Sequence, residues 1–147
     1  MLVKRVLPAA SRRLVTIRDD VPLLEAARLL SVPQTDLVVV SAADGLLAGV
    51  VTKTDIVRRI GRCEGHSCAM ALAVVMTRAV VTCRPDDWLQ DIWASMKERG
   101  LKNVPIVDEA ARPKGVLNAR DALQVLFEEV EDEDGLLRDY VMGVGYR

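Results

Sequence analysis

Aromatic side chains are nearly missing from this chain: one Phe, two Trp and two Tyr in 147 residues. A core assembled without them must come from Val, Leu, Ile, Ala and Met, and half of the residues are hydrophobic. Aliphatic, β-branched segments of this kind suit sheets buried on both faces. An excess of one charge is also missing. Twenty Lys and Arg against 21 Asp and Glu give a formal net charge of −1. There is no basic stripe of the kind that displaces counterions from a phosphate backbone, which excludes a nucleic acid polymer as the expected partner. A locally basic cleft for a small anion is not excluded. Cysteine is sparse and odd in number (Cys63, Cys68 and Cys83), which argues against a secreted disulfide framework. The N-terminus lacks the long apolar stretch of a signal peptide. No apolar run approaches the roughly 20 residues needed to cross a bilayer. The expectation is a soluble, cytoplasmic protein with no membrane partner. His66 is the one histidine. With no nucleophile–base arrangement, no Walker-type loop and no full metal triad, the chain reads as non-catalytic.

What the chain does have is an internal repeat at an offset of 66 residues. Val15, Thr16, Arg18 and Asp20 recur as Val81, Thr82, Arg84 and Asp86. Leu23 and Val38 recur as Leu89 and Val104, and Gly49, Val50 and Asp55 as Gly115, Val116 and Asp121. The offset holds without a gap from Val15 to Asp55, so two copies of one supersecondary unit are expected.

Each copy carries the same order of signals. A β-rich stretch (residues 14–17, then 79–83) leads into a charged turn whose acidic residues suit a helix N-terminus. A helix follows, with apolar positions Leu23, Ala26, Ala27 and Leu30 in the first copy and Leu89, Ile92, Trp93 and Met96 in the second. Steps of three and four give one buried stripe. Pro33 predicts the end of the first helix and Gly100 that of the second. Two apolar strands come next, residues 37–40 and 47–51 in copy one and 104–107 and 114–117 in copy two. A second helix opens at Thr52 to Asp55 and at Asn118 to Asp121. The unit is β-α-β-β-α, too small to bury enough surface alone, so two copies packed through their sheets are expected to share a core.

The strings Leu47-Ala48-Gly49-Val50-Val51-Thr52-Lys53-Thr54-Asp55 and Pro113-Lys114-Gly115-Val116-Leu117-Asn118-Ala119-Arg120-Asp121 resemble the signature of a CBS-domain pair, or Bateman module. Asn103 to Asp108 and Val75-Met76-Thr77 resemble the strand-and-turn and the lead-in of such repeats. The likeness spans about residues 8–128. It implies an α/β (α+β) fold of two tandem β-α-β-β-α repeats with pseudo-two-fold symmetry. The expected division is 1–62 for repeat 1 with an N-terminal arm, 63–75 for a linker, 76–129 for repeat 2 and 130–147 for a tail. No catalytic domain is expected beside the pair. The resemblance therefore implies a stand-alone regulatory ligand sensor that needs no cofactor.

In that family a Thr or Ser at the strand end and an Asp three residues later often bind a nucleoside, and Thr52 and Asp55 match. The spacing has a physical reason. Residues i and i+3 of a first helical turn share a face. A carboxylate there can accept two hydrogen bonds from a ribose diol, while a hydroxyl and free N–H groups meet sugar or phosphate oxygens. Gly49 is expected to let backbone approach the ligand closely. The same Thr-x-x-Asp is also an ordinary helix N-cap, and the two readings stay open here. The second copy departs from the pattern: Asn118 stands for Thr, Asp121 remains, and Arg120 between them could meet a phosphate. Its site is expected to be weaker, empty or structural. By resemblance, Thr16 and Thr82 mark positions where backbone would contact adenine. The implied ligands are AMP, ADP, ATP, a dinucleotide or S-adenosylmethionine, with Lys53, Arg58, Arg59, Lys114 and Arg120 as candidate cations.

Three features lie outside that pattern. Cys63, His66 and Cys68 are possible metal ligands by type, but they are three where a closed zinc site needs four, so a plain linker is the main expectation. Residues 128–134 are strongly acidic and read as a solvated helix end or a dock for a basic partner. The apolar tail beyond them suits a homodimer interface or an unknown client protein. Trp93 belongs to the buried stripe, and Trp88 is expected to be partly exposed. The competing function is a ligand-free structural or interaction protein working through the acidic segment and the tail.

Overall fold

The computed structural model describes residues 1–62 and 69–143, with side chains described up to residue 132. The repeat becomes two small α/β units. In the first, β1 (Thr16–Arg18) runs parallel to β2 (Leu37–Ser41), which pairs antiparallel with β3 (Leu47–Thr52). In the second, β4 (Asn103–Val107) and β5 (Pro113–Asn118) form the equivalent antiparallel pair. The segment expected to mirror β1 narrows to a bridge. Cys83 pairs with Ile106 in parallel, through Cys83 N–H to Pro105 at 3.0 Å and Val107 N–H to Cys83 at 2.9 Å. The pairing is conserved between the copies, although here it spans one residue.

The helices follow the stripes read from the sequence. α1 (Leu7–Arg13) precedes the first sheet, and α2 (Leu23–Leu30) and α3 (Lys53–Gly61) belong to the first unit. α4 (Leu72–Val75) is one turn, α5 (Leu89–Arg99) stops at Gly100, and α6 (Ala119–Gly143) closes the chain. Gly100 takes φ +68°, the left-handed conformation that ends helices and favours glycine. The acidic run does not end α6, which continues through it to Gly143. No described helix is long and apolar enough to cross a membrane.

Strand alternation sorts the core into layers. Val38, Val40 and Val51 face α2 and α3, with Leu23, Ala26, Leu30 and Ile56. Leu37, Val39 and Val50 face the other way and meet Val116 of the second unit, together with Leu14 and Val80. That layer joins the two sheets. Leu89, Met96, Val104, Ile106 and Leu117 make the second unit's own core, on which Trp93 is packed half-buried.

The lead-in segments cross between the units. Val3, Val6 and Ala10, from the N-terminal arm, are buried in the core of the second unit. Leu72 and Met76, which precede the second unit, are buried in the core of the first. Val3 N–H donates to Asp87 at 2.9 Å, and Leu72 N–H donates to Val21 at 3.0 Å. Asp87 and Val21 are related by the 66-residue offset, so the two lead-ins dock alike. Leu72, placed in the linker by the sequence, is thus core and fully buried.

Gly49 and Gly115 serve this crossing. A Cβ on Gly49 would lie 2.6 Å from the Thr77 carbonyl oxygen, and one on Gly115 would lie 2.8 Å from the Ala10 backbone. The close approach expected between Gly49 and a ligand is made by the chain's own Met76–Thr77 segment, which pairs with Val50 through bonds of 3.0 and 2.9 Å.

Candidate functional site

A cavity of about 550 Å³ opens between the two units. Its polar edge is the junction of β3 and α3, with Thr52, Lys53 and Asp55, and its apolar walls include Leu37, Val50, Val80, Val81, Leu101 and Pro105. That volume lies within the range of small-molecule sites, which pair apolar walls with a few placed polar groups.

At the polar edge, Thr52 is extended (φ −114°, ψ 168°) and caps α3. Its hydroxyl accepts from Asp55 N–H at 3.2 Å, while Asp55 Oδ2 accepts from Thr52 N–H at 3.0 Å. This reciprocal capping box is the ordinary helix-start reading realised. It does not exhaust either side chain. The Thr52 hydroxyl keeps its proton, and Asp55 Oδ1 has no hydrogen-bond or ion-pair partner among the described residues. At the mouth, Lys53 Nζ lies 3.6 Å from Asp36 Oδ1 with both side chains more than half exposed, a pairing worth little in energy.

The equivalent position in the second unit is arranged differently. Asn118 Oδ1 accepts from Arg120 N–H at 2.9 Å, and its Nδ2 donates to Asn103 Oδ1 at 3.0 Å. Asp121 is gripped by Arg13 from the end of α1: Nε donates to Oδ2 at 2.6 Å and Nη2 to Oδ1 at 3.1 Å. Both carboxylate oxygens are taken. The hydrogen bond to Asp121 holds the Arg13 guanidinium above its ordinary pKa, against the lowering effect of burial. Cavities of about 570 and 420 Å³ flank this pair, one bordered by Arg13, Asn118 and Arg120 and the other by Arg13, Thr35 and Asp121.

The structure thus brings Thr52 and Asp55 to one cleft, Asn118 and Arg120 to a second, and Asp121 to a third, with Arg13 bordering both of the last two. Thr16 is exposed on β1 and Thr82 is exposed beside Val81, and neither lines any of these three cavities. Their neighbours Val15 and Val81 do. Of the candidate cations, Lys53 and Arg120 border the cavities, while Arg58, Arg59 and Lys114 do not. Lys114 instead lies 3.7 Å from Asp108. Lys102, not singled out from the sequence, borders both larger cavities. Arg13 was also missed, because its partner is 108 residues away. The repeat held the signal: carried two residues past Val15, the offset pairs Arg13 with Ala79, which lines the Asp55 cavity.

Cys63, His66 and Cys68 lie outside the described residues. Cys83 is buried, and desolvation first, with the nearby Asp87 charge second, pushes its thiol up to about 12. It is no nucleophile at neutral pH.

The CBS domain model matches residues 3–62 and again residues 72–128. A CBS-domain protein of Agrobacterium tumefaciens superposes with a TM-score of 0.71 at 29% identity, covering 84% of this chain and 91% of that one. A CBS domain pair crystallised with 5′-methylthioadenosine and S-adenosyl-L-methionine gives 0.72 at 22% identity, covering 88% and 98%. Among curated proteins, a homoserine O-acetyltransferase of Methanohalobium evestigatum is 26% identical over 78% of this chain. An L-aspartate semialdehyde sulfurtransferase of Methanocaldococcus jannaschii is 25% identical over 82%. The match spans only 22% of the length of each of these two relatives. With both repeats matched and the fold reproduced, the chain belongs to the CBS-domain family and carries two copies of the domain in tandem.

Proposed function

We propose that the protein is a non-catalytic regulatory module that binds an adenosyl ligand in the cleft at Thr52 and Asp55. AMP, ADP, ATP and S-adenosylmethionine are the candidates. The observation that carries this reading is the Asp55 carboxylate: one oxygen caps α3 while the other lacks a partner among the described residues, beside an apolar-walled cavity. That is an acceptor suited to a ribose diol next to a slot suited to a purine. The adenosyl compounds bound by the structurally similar CBS domain pair support the ligand class. Thr52 would contribute its hydroxyl, and Lys53 and Lys102 offer charge to a phosphate. Because the cleft is built from both repeats, a ligand that binds one relative arrangement better shifts the molecule toward it. A client protein would read that change.

The test is calorimetric titration of nucleotide-stripped protein with the four ligands, alongside Asp55→Asn. Asparagine keeps an oxygen that can cap α3 and removes the charge. Hydrogen bonds to charged groups are worth about 1.5–3 kcal/mol, so affinity should fall roughly 10- to 100-fold. Equal affinity in the variant overturns the role of Asp55.

A homodimer fits the exposed apolar residues Val57 and Ile60 on α3 and Leu123, Phe127 and Val130 on α6. Sedimentation should show a dimer in the parent and a monomer in Phe127→Glu; a monomeric parent removes the proposal. The competing reading, an interaction protein without ligand, draws on α6, which runs beyond the matched repeat to Gly143 with an acidic stretch. Truncation after Glu129 would then abolish partner capture.

A further inference from the structure

The two clefts share a fold and a 66-residue repeat, yet they differ at one decisive position. The cavity that Asp55 lines is also lined by Ala79, whose methyl group has no hydrogen bond to donate. Beside Asp121 stands the repeat-related Arg13, whose guanidinium takes both carboxylate oxygens at 2.6 and 3.1 Å. A two-point fork of this kind is the strongest way for a neutral-pH protein to satisfy a carboxylate, and it is partly buried, with the side chains 34% and 23% exposed. Asn118 is also committed, accepting from Arg120 N–H and donating to Asn103. No polar group that Asp55 offers to a nucleoside is left unused at Asp121.

We infer that Arg13 acts as a built-in surrogate ligand that locks the second cleft, leaving one open nucleoside site per chain, and that the Arg13/Ala79 pair decides which cleft is open. A ribose diol would have to compete with a charged, forked donor already seated on Asp121, offering two neutral hydroxyls against it. At Asp55 the uncommitted oxygen has no partner to displace among the described residues. The lock also ties α1 to the start of α6, so it staples the N-terminal arm to the second unit.

The inference rests on the proposed adenosyl site for its ligand alone, and two measurements keep the questions apart. The first needs no ligand. In ¹⁵N-labelled protein the Arg13 Nε–H should give a slowly exchanging resonance that disappears in Asp121→Asn. Exchange as fast as that of the exposed arginines overturns the lock. The second is titration with AMP. One site per chain is expected in the parent, two in Arg13→Ala and none in Ala79→Arg, each variant first checked for a parental circular dichroism spectrum. Two sites in the parent, or a single site in Arg13→Ala, overturns the inference. Failure of both proteins to bind AMP while Arg13 Nε–H stays protected defeats the AMP-site reading and upholds the lock.

Discussion

Leu72→Ala tests the crossing of the lead-ins. The side chain sits one residue into a four-residue helix that the sequence places in a linker, yet it is fully buried among Leu23, Ala26, Leu30 and Met76. Truncating such a leucine removes three carbons from a packed site and leaves a cavity, at a cost of about 2–5 kcal/mol. For a chain of this size each kcal/mol shifts the melting midpoint by roughly 2–4 °C. A mid-range loss of about 3 kcal/mol therefore lowers it by about 6–12 °C. Val74, two residues on in the same turn, is 63% exposed, and Val74→Ala should change stability by less than about 0.5 kcal/mol. The assay is thermal unfolding followed by circular dichroism, with both variants at one protein concentration and without nucleotide, since bound ligand raises the midpoint. If Leu72→Ala melts within about 2 °C of the parent, residues 70–76 are a tether and the interleaved core described above is wrong.

Gly49→Ala should destabilise by about 1–3 kcal/mol in urea unfolding, because its Cβ would meet the Thr77 carbonyl at 2.6 Å; a neutral change would mean that the Val50–Thr77 pairing yields easily. Thr52→Ala removes the cap of α3 and should cost about 1 kcal/mol in the same assay. Cys83 should stay unlabelled when native protein is treated with iodoacetamide at pH 8 and react fully in denaturant, as read by peptide mass mapping; labelling in the native state would contradict its burial. The native thiol keeps its proton up to about 12 while the unfolded one loses it from 9.0, so its contribution to stability is complete below pH 9.0 and declines as pH rises between those values.

The strands and helices were legible because their signals are local and stated twice. The alternation in Val38–Val39–Val40 and the steps from Leu23 to Leu30 each have a partner 66 residues on, and the structure honours both. Thr52 and Asp55 were legible as a pair, and the capping box shows why the motif alone was ambiguous: one arrangement serves as helix cap and leaves an acceptor over. What the local pattern could not carry is where the lead-ins go. Val3 and Val6 read as an arm before the first repeat and Ala10 as part of that repeat, and nothing in their own periodicity says that they complete the core of the second. The grip of Arg13 on Asp121 was hidden for the same reason, since it depends on α1 lying against β5 and the start of α6. The stretch before α5 shows the opposite limit: its β-rich character was legible, but in the structure its pairing spans only Cys83 against Ile106.

The exchanged lead-ins have a consequence for how such a chain can arise. Each repeat gives its opening segment to the other and receives the other's in return, so the unit that recurs in sequence is not the unit that closes a core. One repeat alone would present an apolar segment with no socket and a socket with no segment. Two separate copies would satisfy each other by trading segments, which is domain swapping in its symmetric form. Joining those copies end to end preserves every exchanged contact and makes it intramolecular. It also frees the two halves to diverge, as Arg13 and Ala79 have, because identity between them is no longer enforced by a single gene.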